Sequence, residues 1–292
     1  MHQLSLDTTL ALQGCCTVTI NRAHQDSITQ LAVKMERVLS STTLSSATTL
    51  DHLKMMQLTM GLRFLKSASL EKRLVGLVEI GSVVVNTSSM KDRIVHWMEK
   101  EAVVSVLFGP NKHPELLKRS LTLMEFLVEN EKIGTVEMKL MWKVVLSGKN
   151  GMDSSSSQCT LEILIELLPS FSKSVVQELF TCMKTSEKDL WCFADLLIEV
   201  CQYACPTLRE SVWTWTWSYL QVEEKEYDVD EIEKTSRLLK KLVFYQDENK
   251  VHEILMQCID NVSQHVAVGL SSTLFMTLLS TRQGATLYSL EN

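Results

Sequence analysis

The residues nearest to a metal site or a reactive thiol are Cys201 and Cys205, one helical turn apart, with Cys192 close by. A tetrahedral zinc site needs further Cys, His or Asp ligands at matching spacing. No histidine lies between His113 and His252. The expectation for this pair is buried thiols, which behave as small hydrophobes. His252-Glu253 opens like the helix of a zinc protease, but Met256 stands where the second histidine is required. His96 beside Trp97, and His113 before Pro114, read as surface or helix-capping histidines. No Gly-x-Ser-x-Gly elbow, phosphate-binding glycine loop or dinucleotide fingerprint accompanies them. No catalytic residue, metal or cofactor is expected.

Two features point to binding. In Trp213-Thr214-Trp215-Thr216-Trp217 the outer two tryptophans share one face of a helix, and Trp215 points well away. Core packing is the plain reading. The sharper one makes Trp215 an exposed anchor, because Trp is enriched among the residues that carry interface energy. The second feature is the acidic run from Glu223 to Glu231, in which Glu223, Glu224 and Glu226 are the leading candidates. A solvated loop is the plain reading. A docking spot for a basic segment is the sharper one.

These residues need a scaffold, and the chain supplies one signal almost throughout. Leu70, Leu74, Leu77, Ile80 and Val84 follow the spacing of a helix with one buried face, as do Ile28, Leu31, Met35 and Val38, and Leu117, Leu121, Met124 and Val128. Further helices are predicted near 48–66, 89–107, 134–147, 159–168, 173–184, 187–203, 207–221, 229–245, 248–264 and 266–280. Thr48, Ser186 and Asp228 read as caps, and Pro114 and Pro206 suit a first helical turn. Breaks fall at Gly109-Pro110, at Pro169, and across the polar stretch from Gly148 to Ser157. About a dozen helices cannot all face one centre, whereas stacked antiparallel pairs can. Two helices with their loops use about 40 residues, the armadillo/HEAT period. The predicted fold is an all-α solenoid of armadillo/HEAT-like repeats. The predicted segments are a poorly patterned 1–22, a helical block 23–147, a loop 148–157, a second block 158–281 and a tail 282–292.

Bulk composition agrees. Hydrophobic residues make up 45% of 292, and four Pro and ten Gly are few for an all-β chain. A net charge of -6 argues against nucleic-acid binding, and Glu71-Lys72-Arg73 and Lys91-Asp92-Arg93 read as solvated helix faces. Eight cysteines, mostly in apolar stretches, do not suggest a disulfide framework. No stretch nears the roughly 18 apolar residues of a membrane span, and Met1-His2-Gln3-Leu4 lacks a signal peptide's basic start. Cytoplasm or nucleus is the expected compartment.

One stretch has a familiar look. From Ile94 it runs IVHWMEKEAVVSVLFGPNKHPELLKRSLTLMEFLVENEKIGTVEMKLMWK, with Trp97, Glu99, Val103, Leu107, His113, Phe126 and Trp142-Lys143 as its landmarks. With Leu70 to Leu77 upstream, it resembles the armadillo-type region of the giant ubiquitin-specific proteases, the group of the X- and Y-linked fat-facets-type deubiquitinases. The likeness is good over roughly 65–150. It implies a non-catalytic scaffold lying outside a protease domain. The partners it implies are proteins: ubiquitin-pathway substrates or a neighbouring protease domain. No counterpart of the protease's Cys and His motifs is present. The rivals are a helical adaptor in transport or trafficking and an all-α enzyme with a site assembled from scattered polar residues.

Overall fold

The computed structural model describes residue 30 and residues 46–86, 88–148, 154–186, 194–222 and 229–279. The stripe at 28–38, the segments 1–22 and 282–292, and the cap at Asp228 lie outside the described helices. Among the described residues there is no strand. The helices are α1 (Ser46–Leu65), α2 (Leu70–Asn86), α3 (Lys91–Lys100), α4 (Val103–Phe108), α5 (Pro114–Arg119), α6 (Leu121–Glu129), α7 (Thr135–Ser147), α8 (Ser154–Leu167), α9 (Lys173–Lys184), α10 (Ala194–Tyr203), α11 (Pro206–Val222), α12 (Val229–Phe244), α13 (Glu248–Ser263) and α14 (Val268–Leu279). The fold is all-α, of the solenoid class built from armadillo/HEAT-like repeats.

The chain divides into two compact units, residues 1–132 and 133–292. In the first, α1 packs along α2, and α2 in turn packs on α5 and α6. The α1–α2 crossing is tight because both helices present glycine there. A Cβ on Gly76 would lie 2.3 Å from the carbonyl oxygen of Gly61 and 2.6 Å from the amide nitrogen of Leu65. No residue with a side chain fits at that position.

Where one helix was predicted over 89–107, the chain breaks at Ala102, which takes left-handed backbone angles (φ 51°, ψ 49°) between α3 and α4. The apolar stripe shows why. Continuing the face of Ile94 by seven and eleven residues reaches Glu101 and Ser105, whereas Val103, Val104, Leu107 and Phe108 are the buried ones. A straight helix would carry that second group round to the wrong face. The stripe from Leu117 to Val128 is likewise divided, at buried Ser120, whose hydroxyl donates to the Leu117 carbonyl at 2.7 Å. Thr48 is not a cap either, since α1 already begins at Ser46. Pro114 and Pro206 do open their helices.

In the second unit, α7 packs on α8 and α9, α10 on α8, α11 and α12, and α14 on α12 and α13. The polar stretch predicted as a loop over 148–157 is in part helix, because α8 begins at Ser154. Its serines serve close packing. Ser156 and Ser157 are buried, and the Ser157 hydroxyl donates to the Val145 carbonyl at 2.7 Å. A Cβ on Gly148 would come within 2.6 Å of the Ser157 Cβ. The compact units therefore divide at Lys132–Ile133, upstream of α7, and not at the polar stretch.

Arg73 is not on a solvated face. It is buried, its Nε donates to the Leu65 carbonyl at 3.1 Å, and its Nη1 donates to the Asn111 carbonyl. Burial holds its pKa below the usual arginine value. The second unit repeats the device. Arg209 Nε donates to the Cys201 carbonyl at 2.8 Å, again eight residues back, and Nη1 reaches the Tyr245 carbonyl at 3.4 Å. Each arginine is the fourth residue of its helix. In that position it ties the end of the preceding helix to a carbonyl 38 or 36 residues further on, about one repeat. The carbonyls at a helix end lack intrahelical partners, and a guanidinium supplies several donors at once.

Candidate partner-binding surface

On α11, Trp213 and Trp217 are buried and stack with ring centroids 5.5 Å apart and planes 15° from parallel. Trp215 points away from them and is half-buried. Its ring meets the buried Phe180 of α9 edge-on, at 5.8 Å and 81°. One part of Trp215 thus belongs to the packing between α9 and α11. Glu223, Glu224 and Glu226 lie outside the described residues.

The cysteine pair is split between environments. Cys201 is buried, and that burial pushes its thiol up to about 12. Cys258 is buried and pushed up to about 12 for the same reason, and Cys182 is raised chiefly by burial. Cys205 is only partly covered, with its Sγ 3.2 Å from the Thr207 hydroxyl. That hydrogen bond, first among several, holds its pKa below the ordinary thiol value. Cys192 lies outside the described residues. Among the described residues, no three of His, Cys, Asp and Glu gather into a group able to hold a metal ion.

The thiolate is the reactive form, so alkylation reads out this difference directly. Brief iodoacetamide treatment of the folded chain at about pH 8 should modify Cys205 well before Cys201, Cys182 and Cys258. Peptide mapping by mass spectrometry gives the order. Modification of Cys201 at the rate of Cys205 would show that the α10–α11 packing is wrong.

The histidines take the roles expected of them. His96 is exposed, and His113 caps α5, its Nδ1 accepting from the Glu115 amide at 3.2 Å. Lys250 sits between Glu210 at 3.1 Å and Glu253 at 2.9 Å, and its hydrogen bond to Glu253 leads the upward shift of its pKa.

A groove of about 370 Å³ in the first unit went unread in the sequence. It runs between α2 and the α5–α6 corner. Buried Leu77 and Leu123 lie at its floor, Val78 and Val85 at its sides, and Ser82, Asn86, Thr122 and Arg119 complete the lining. Gly81 sits between the valines, and nothing lies within 4 Å of where its Cβ would be. A glycine in mid-helix, with valines three residues before it and four after, was the signal that could have found it.

The helices, their close crossings and the period of about 40 residues define a helical-repeat protein of armadillo type. Residues 51–191 match the family model described as the UBP24/USP9X/USP9Y ARM repeat. Over that span the chain is similar to the armadillo-repeat region of the giant ubiquitin-specific proteases, and the match extends the likeness read over 65–150 on both sides. The chain is also similar to the ubiquitin carboxyl-terminal hydrolase puf of Drosophila melanogaster, with 25% identity over 130 residues. The alignment covers 40% of this chain and 3% of that relative's length. Among the described residues, no helix is long and apolar enough to cross a membrane.

Proposed function

We propose that this chain is a non-catalytic scaffold segment of a large ubiquitin-specific protease, recognising proteins and presenting them to a separate catalytic domain. The observation that carries the reading is the match of residues 51–191 to the armadillo repeats of that protease group, on a chain packed as helical repeats. Stacked helices hold a surface still, and the exposed side chains on it select a partner. The partners are proteins, either ubiquitin-pathway substrates or a neighbouring protease domain. Trp215 and the acids Glu223, Glu224 and Glu226 are candidate contacts, and the compartment is cytoplasm or nucleus.

Two arms test this. Incubated with a fluorogenic ubiquitin C-terminal conjugate and a ubiquitin-based thiol probe, the chain should give neither turnover nor labelling. Activity that vanishes on mutating one cysteine would overturn the reading. In the second arm the chain is fused to the catalytic domain of an unrelated deubiquitinase. The fusion should change which cellular proteins lose ubiquitin, as read by quantitative proteomics, without altering turnover of the fluorogenic conjugate. An unchanged substrate profile would remove the scaffold role.

A further inference from the structure

We propose that the groove between α2 and the α5–α6 corner seats a partner peptide presenting an aliphatic side chain next to a carboxylate. The inference rests on the scaffold reading and adds a place and a chemistry to it. Val78 and Val85 stand two turns apart on α2 and are 57% and 67% exposed. An aliphatic side chain inserted above Gly81 would cover both valines, removing their apolar surface from water. The missing side chain at Gly81 is what opens the space for it.

The rim sets the charge preference. Asn86 has its amide nitrogen committed to the Ser82 carbonyl at 2.8 Å. Arg119, the last residue of α5, is exposed and pairs with no carboxylate among the described residues. A guanidinium matches a carboxylate with two parallel hydrogen bonds, and a lysine in the same place would meet like charge. A single cation beside an apolar trench does not suit nucleic acid, which needs a basic track along its backbone. An aliphatic residue flanked by Asp or Glu satisfies the floor, the sides and the rim together.

The test uses the full chain and short fluorescein-labelled peptides, each carrying Leu, Ile or Val beside Glu or Asp. Matched peptides replace the acid by lysine, or the aliphatic residue by serine. Fluorescence anisotropy should show binding of the aliphatic–acidic set, weakened by about tenfold or more by either replacement. Gly81→Leu should weaken it at least as much, with helix content and melting preserved, since the new side chain enters open space. Arg119→Glu should turn the preference from acidic to lysine-bearing peptides. Equal binding of all three sets would overturn the proposal, as would affinity that survives Gly81→Leu in a folded variant. Success of the fusion test with failure here would remove the groove and keep the scaffold. Peptide binding with a failed fusion test would do the reverse.

Discussion

Gly76→Leu is expected to cost about 3 kcal/mol or more, while Gly81→Leu, one and a half turns along the same helix, should leave stability unchanged or slightly raised. Intrinsic propensity favours both changes, because glycine in mid-helix is less stable than leucine by somewhat under about 1 kcal/mol. Packing separates them. At Gly76 a Cβ would sit 2.3 Å from the Gly61 carbonyl oxygen and 2.8 Å from the Phe64 Cβ. Neither the backbone nor a Cβ can rotate away, so α1 and α2 must move apart. That separation loses contacts among buried Leu58, Leu62, Leu65, Leu77 and Ile80. Overpacking a fitted core usually costs about 1–3 kcal/mol, and a clash with main chain lies at the upper end or beyond. At Gly81 a Cβ meets nothing within 4 Å. Chemical denaturation followed by circular dichroism gives both values. Equal stability of the two variants would mean that α1 and α2 do not cross where the structure has them.

Helical periodicity was legible because it reports one thing, the face a helix buries. The helix read at 173–184 is α9 to the residue, and α7, α11, α12 and α13 lie within a residue or two of their predicted limits. Periodicity fails where side chains do other work. Arg73 stands in a charged triplet that looks like a solvent face, and nothing local reveals that its partner carbonyl is 38 residues away. The serines from 154 to 157 looked like loop by composition. Small size is also what lets two helix ends approach closely, and that use wins here. The shift of the apolar stripe across Ala102 was present in the sequence and shows only when the two stripes are phased against each other.

The surface was less legible than the core for a related reason. Val78 and Val85 extend an apolar run that already includes Leu77, Ile80, Val83 and Val84, so composition alone could not set them outside. Which apolar residues face water depends on neighbouring helices, and sequence separation hides those neighbours. The same logic divides the tryptophans. Spacing paired Trp213 with Trp217 and turned Trp215 away, as found, but could not supply Phe180 as its neighbour.

Trp97 carries the largest expected effect, because a tryptophan is the largest side chain a core can lose. It is 7% exposed on α3, among buried Ile94, Val95 and Met98. Trp142 on α7 is as deeply buried, beside Met138, Met141 and Val145. Truncating either to alanine removes an indole from a close-packed interior and leaves a cavity that the helices refill only in part. The expected cost is about 3–5 kcal/mol for each, on the order of 10 °C in melting temperature for a unit of this size. Val136→Ala is the control. Val136 lies on α7 with Trp142 but is 73% exposed, so its truncation should change stability by less than about 0.5 kcal/mol. The comparison separates burial from helix propensity, because all three changes place alanine in a helix. Trp97→Ala melting like Val136→Ala would put Trp97 on the surface. It would also break the alignment to the giant protease repeats at one of the residues that first suggested it.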